Sequence, residues 1–159
     1  MKNLIYYIIF YIVFCLLQFS FSKYINFFGK FPNFILIFIV YIGLSKGSMF
    51  AQLMGFLFGL TWDVFSTDFF GIRTIMFTII GYFSGKLNKN FDGDKILTQY
   101  VVVFLASVVY KLGTNLICYV ILSNKDYNFL ILDSSLKIFI TVLIAPVIFY
   151  ILNYVKKEI

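Results

Sequence analysis

The sequence predicts an all-α integral membrane protein, a single bundle of about six transmembrane helices occupying residues 1–159 as one polytopic domain. Three observations predict it. Hydrophobic residues make up 62% of the chain and charged residues only 13%, where soluble domains hold about 45–50% and about 25%. Mean hydropathy is +0.95. The apolar residues fall into runs long enough to cross a bilayer, which takes about 20 residues.

The runs are Leu4–Phe21, Phe31–Leu44, Gly47–Val64, Phe69–Gly85, Ile96–Leu122 and Leu136–Val155. The first follows Lys2 as a signal peptide would, but no small-residue cleavage site follows it. Ser20, Phe21, Ser22, Lys23 and Tyr24 come next, so it reads as an uncleaved helix. The second run is short and is expected to reach the interface through the long side chains of Lys30 and Lys46, with Pro32 in its first turn. The fifth is long enough to tilt or protrude. In the sixth, Pro146 removes the donor that would serve the carbonyl of Val142 and predicts a kink. The 22 Phe and 12 Tyr suit lipid-facing surfaces and interfacial belts, and equally a genome biased toward these residues.

Six spans place both termini on one side. Seven lysines lie there: Lys2, Lys46, Lys86, Lys89, Lys95, Lys156 and Lys157. The other side holds at most five cations: Lys23, Lys30, Lys125, Arg73 and Lys137. The positive-inside bias therefore favours cytoplasmic termini. The longest connections, Lys86–Lys95 and Ser123–Ser135, have no room for a soluble domain. The +6 net charge is dispersed between apolar runs, with no basic block to track a nucleic acid.

Several chemistries lack their residues. There is no His, the commonest general base and metal ligand. Cys15 and Cys118 have no CxxC spacing and read as small buried hydrophobes without a disulfide. No phosphate-loop or dinucleotide fingerprint, internal repeat or heptad pattern is present. No cofactor or metal set emerges, and the chain reads as a non-enzyme.

What the spans do carry is packing faces. Ser48, Gln52, Gly55, Gly59 and Asp63 share one face of the third helix, and Gly71, Thr74, Thr78, Gly81 and Gly85 one face of the fourth. Helices in lipid associate where small residues let backbones approach and polar groups pair. Two such stripes joined by a short turn near Phe65–Asp68 predict a tight helical hairpin, and wide stripes would also offer a partner interface. Ser107, Lys111, Thr114 and Cys118, with Asn115 nearby, make a weaker stripe on the fifth helix.

Asp63, Arg73 and Lys111 are the intramembrane charge candidates, and with cytoplasmic termini all three fall in the outer half. Asp63 sits near a helix carboxyl end, where the macrodipole disfavours an anion. It therefore calls for a positive partner, Arg73 or Lys111. Alternatively Asp63 and Arg73 mark the water boundary, each solvated. A proton relay would need more acidic or imidazole groups than the chain offers.

At this point the sequence resembles the MreD family of rod shape-determining proteins. The resemblance rests on Gly55, Gly59, Leu60 and Asp63, a short turn, Gly71 within FFGIRT, Gly81 and Tyr82, and the late Ala145–Pro146. Arg73 departs from it, because the family often has a small uncharged residue there. The resemblance implies a bacterial inner-membrane scaffold of the elongasome, or rod complex, that supports peptidoglycan synthesis and cell shape. It implies an MreC-like bitopic partner, with RodA, a class B penicillin-binding protein and, indirectly, MreB. It also implies a fold like that of the substrate-binding subunits of energy-coupling-factor vitamin transporters. A small-molecule-binding or transporter subunit is the alternative. It would need convergent polar groups, and the outward loops offer only Asn26, Lys30, Ser66, Thr67, Asp68, Lys125, Asp126, Asn128 and Asp133. A lipid-handling enzyme ranks last, for want of a catalytic set.

Overall fold

The computed structural model describes residues 2–24, 32–65, 70–87, 95–122 and 128–157. These residues form α1 (Lys2–Tyr24), α2 (Phe34–Lys46), α3 (Ser48–Phe65), α4 (Ile72–Leu87), α5 (Ile96–Leu122) and α6 (Asn128–Lys157), with no strand among them. Lys30, Lys89, Lys125, Asn26, Asp126 and the turn residues Ser66, Thr67 and Asp68 lie outside the described residues. Three helices hold segments long and apolar enough to cross a membrane: Ser48–Phe65, Ile96–Ile117 and Leu136–Val155. Large apolar side chains cover much of the outer surface, among them Ile12, Leu16, Phe104, Leu116, Phe139 and Leu143. Exposed greasy surface on this scale suits a lipid environment.

α2 is the centre. Its residues Phe34 to Leu44 are all buried, and it packs against each of the other five helices. A helix that is apolar all round belongs inside. Its 13 residues rise only about 20 Å, against a hydrocarbon thickness of about 30 Å. The expected second span is thus a short helix shielded by its neighbours, and Lys30 lies outside the described residues. Pro32 also moves. It precedes the helix, and Asn33 is the N-cap, its Oδ1 accepting from Leu36 N at 3.1 Å.

Aromatic contacts set the neighbours' directions. Tyr7 lies beside Phe38 and Phe50, and Phe14 beside Phe34, so α1 runs antiparallel to α2. Tyr11 stacks on Phe58 with ring centroids 3.9 Å apart, and its hydroxyl meets Thr61 Oγ1. Tyr41 meets Phe149 edge-on at 5.3 Å, and Asn33 N donates to Thr141 Oγ1, so α6 runs parallel to α2. Gly47, at φ 88°, reverses the chain between α2 and α3. This φ favours glycine, the one residue without a Cβ to clash.

α6 begins eight residues before the expected Leu136 and remains helical through Pro146. Hydropathy marks the greasy part of a helix, whereas hydrogen bonding continues past it. Residues 128–135, expected as part of a loop, extend the helix for this reason. Cys15 is a free, half-buried thiol.

Candidate functional site

α3 and α4 form an antiparallel pair whose backbones touch along its length. A Cβ placed on Gly59 would strike the backbone of Thr74, and one on Gly55 the carbonyl of Phe77. From the other side, a Cβ on Gly81 would strike the carbonyl of Ala51, and one on Gly85 the backbone of Ser48. From the turn end outward the seam uses the two glycines of α3 and then the two of α4. Close approach of this kind gives dispersion and weak Cα–H contacts where hydrophobic burial offers little.

Three members of the expected stripes behave differently. Gln52 is exposed, and Ala51 takes the inward position beside Gly81. The physical reason is rotation: the buried line through Ala51, Met54, Gly55, Phe58 and Gly59 leaves residue 52 about 100° off the seam. Gly71 has nothing within 4 Å of a would-be Cβ, so it is no packing glycine. It is the N-cap of α4: its carbonyl accepts from Ile75 N at 3.0 Å, and its φ is 97°. Thr78 is half-buried, with Oγ1 donating to the carbonyl of its own helix at Thr74, 2.6 Å away. Two residues outside the expected stripes extend the seam to α2. Gly43 sits against Ser84 and Gly85, and its signal was the Gly43-x-x-x-Gly47 spacing.

Asp63 closes the turn end of this pair and is only 2% exposed. Its Oδ2 accepts from Gly71 N at 2.9 Å, Thr74 N at 3.0 Å and Thr74 Oγ1 at 2.7 Å. These main-chain donors belong to the first turn of α4, which has no intrahelical acceptors for them. A carboxylate from one helix thus caps the next, at the positive end of its macrodipole. The positive partner that Asp63 calls for is supplied, in these bonds, by a helix terminus.

Beside this clasp lies a cavity of about 330 Å³. All six helices contribute residues to its lining. Arg73, Lys111 and Lys137 contribute cations from α4, α5 and α6. Two of the three expected intramembrane charges therefore meet at one space, together with a third cation that sequence analysis placed at a span end. Gln18, Asn33, Ser107, Thr114 and Thr141 supply polar groups, and Trp62, Phe77, Tyr110, Ile35, Leu36 and Ile138 the apolar wall.

The amino terminus of α2 points into this cavity. Gln18 Oε1 accepts from Phe34 N at 3.0 Å, and Asn33 is held by Thr141. Thr114 and Thr141 return their hydroxyls to carbonyls of their own helices. Ser107, 4% exposed, has its Oγ buried without a hydrogen-bond partner. These residues come from stretches far apart in the chain, and only the fold brings them together.

Comparison with curated proteins and with solved structures gives no match. A family model described as rod shape-determining protein MreD matches residues 1–155. That match runs from the start of α1 into the last turn of α6 and includes the glycine seam, the Asp63 clasp and Pro146. The chain therefore belongs to the MreD family, whose members act in determining rod shape.

Proposed function

We propose that the protein is a non-enzymatic scaffold of the rod complex in the bacterial inner membrane, holding an MreC-like bitopic protein so that peptidoglycan synthesis follows the cell's long axis. RodA and a class B penicillin-binding protein join through that assembly, and MreB indirectly. All six helices form the intramembrane bundle, with cytoplasmic termini. Lys46 and Lys86, in the last turns of α2 and α4, then lie on the cytoplasmic side, in keeping with the positive-inside bias.

The observation that carries this reading is the α3–α4 hairpin. Glycine contacts and the Asp63 clasp make it a preformed element. Its outward face presents Met49, Leu53, Phe56 and Leu57 from α3 and Ile75, Ile79 and Phe83 from α4. A partner's single membrane helix needs such a rigid apolar surface to pack against, because ordering a loose hairpin on binding would oppose association. Ser48, Gln52, Thr78 and Pro146 remain candidates for that interface. Of these, Gln52 already faces outward.

Co-purification in mild detergent tests the reading. The MreC-like partner should be recovered in stoichiometric amount with the parent chain and lost with Gly59→Leu. Parent-level recovery of the complex from Gly59→Leu would overturn it. The second reading is a small-molecule binder with a fold like the vitamin-binding transporter subunits. It draws support from the cavity. A retained small molecule with no protein partner would favour it.

A further inference from the structure

We infer that the cavity binds an uncharged sugar ring through two carboxamides and a buried hydroxyl in its wall. This gives the small-molecule reading above its ligand chemistry, and it rests on that reading rather than on the scaffold.

Neutral groups carry the recognition. Arg73, Lys111 and Lys137 line the space of about 330 Å³, but each already has an interaction within the protein. The first amides of α2 are engaged as well, by Thr141, Gln18 and Asn33. Those bonds fix which end of each carboxamide is the oxygen. Gln18 commits Oε1 to Phe34 N at 3.0 Å, and Asn33 commits Oδ1 to Leu36 N at 3.1 Å. Each keeps an NH2 group, with two donor hydrogens, outside these bonds. Gln18 is only 5% exposed. Ser107, 4% exposed, lines the same space, and its Oγ has no hydrogen-bond partner among the described residues. A buried polar group without a partner is costly, and a ligand oxygen removes that cost. Thr114 Oγ1 donates to the carbonyls of Tyr110 and Lys111, which leaves its lone pairs to accept.

This set is rich in donors and also offers an acceptor. A sugar ring matches it, because each ring hydroxyl both donates and accepts, and an acetamido carbonyl takes two further donors. The rest of the wall suits the other side of such a ligand. Trp62 and Tyr110 are half-buried there, and Phe77 stacks on Tyr110 with ring centroids 5.3 Å apart. The C–H face of a pyranose packs well on an aromatic ring, whose face carries the negative part of its quadrupole. The volume falls at the lower end of the range for ligand pockets, about 300–1,000 Å³, and suits one substituted ring. Two sources share this chemistry: a free sugar, and the sugar headgroup of a glycolipid.

The test uses the full chain, purified in a zwitterionic detergent without a sugar headgroup. Titration calorimetry follows N-acetylglucosamine up to millimolar concentration. Native mass spectrometry from phosphatidylcholine nanodiscs follows a glucosyl diacylglycerol. One saturable equivalent of at least one probe is expected. Asn33→Asp keeps the oxygen that caps α2 and removes the NH2 donors, and Gln18→Glu does the same at Phe34 N. Each should weaken binding about fivefold, and Ser107→Ala about threefold. The thermal midpoint should not fall in Asn33→Asp, since Asp caps a helix as well as Asn, nor in Ser107→Ala, which deletes an unpartnered hydroxyl. Lys86→Gln, in the last turn of α4, should bind like the parent. Uptake of the glycolipid alone assigns a lipid headgroup; binding of N-acetylglucosamine alone assigns a soluble ligand. Absence of saturable binding by both probes would overturn the inference, as would parent-like affinity in both Asn33→Asp and Ser107→Ala. A different small molecule retained by a chain that binds neither probe would overturn the sugar and leave the small-molecule reading standing.

Discussion

The α3–α4 seam and the cavity beside it share Arg73, yet they handle polarity in opposite ways. The seam is closed. Its glycines remove side chains so that main chains meet, and one oxygen of its buried charge, Asp63 Oδ2, accepts from three donors at the start of the next helix. The cavity is open. Its charges come from three helices and line a common space. A buried anion satisfied by backbone N–H groups is a structural device, because those donors need a partner to complete the helix. Cations lining a cavity are instead spread over three helices, and no single bond set ties them to one element. The position of a charge in the membrane therefore does not reveal its task; what it faces does.

The contrast predicts that damage to the seam unfolds the hairpin, whereas damage to the cavity leaves the fold intact. The largest effect is expected at Gly59. A leucine there meets the main chain of Thr74, which cannot rotate aside as a side chain could. Overpacking usually costs about 1–3 kcal/mol, and separation of a whole seam should reach or exceed the top of that range. Thermal unfolding in detergent and gel filtration would read it. A parent-like midpoint would contradict the closeness of the seam.

Asp63→Ala comes next. It leaves Gly71 N, Thr74 N and Thr74 Oγ1 without their acceptor at a buried position, and each hydrogen bond to a charged group contributes about 1.5–3 kcal/mol. Because the donors share one oxygen, a loss of about 3 kcal/mol is expected rather than the sum. Asp63→Asn keeps an acceptor oxygen and gives up the charge, so it should fall between Ala and the parent. If Asn proves as damaging as Ala, charge rather than hydrogen bonding dominates the clasp.

Much of the fold was legible in the sequence, because apolar runs separated by lysines report helices directly. The bounds of α5 agree with the expectation at both ends. The environment of α2 was not legible: a helix apolar on every side reads alike whether lipid or protein surrounds it, and only its length of 13 residues hints at the latter. The glycine spacing on α3 and α4 revealed which positions approach, since a repeat of three and four is a face. It failed at Gly71, whose role lies in its backbone angle and leaves no trace in periodicity. It failed also for the cavity. Gln18, Asn33, Lys111, Lys137 and Thr141 converge only after the helices pack, and no local pattern joins them.

Gly71 supplies the next, smaller test. At φ 97° an alanine incurs the left-handed penalty, about 1–2 kcal/mol. No steric term adds to it, since nothing stands within 4 Å of the new Cβ. Gly71→Ala should thus cost less than Gly59→Leu at the same end of the hairpin, and Gly71→Asn less still, because Asn tolerates this conformation better. Equal losses for Ala and Asn would mean that space, not backbone angle, governs the position.

The smallest effect on folding is expected at Lys137, and it separates the two regions most cleanly. Its side chain is exposed at the cavity mouth, and surface substitutions away from packing or caps usually change stability by less than about 0.5 kcal/mol. Lys137→Gln should leave the melting curve of the bundle unmoved. The seam variants should do the reverse and lose stability. A Lys137→Gln chain that melts early would tie the cavity cations to the fold itself. The convergence of charge there would then be structural, like that at Asp63, and the distinction between the two regions would collapse.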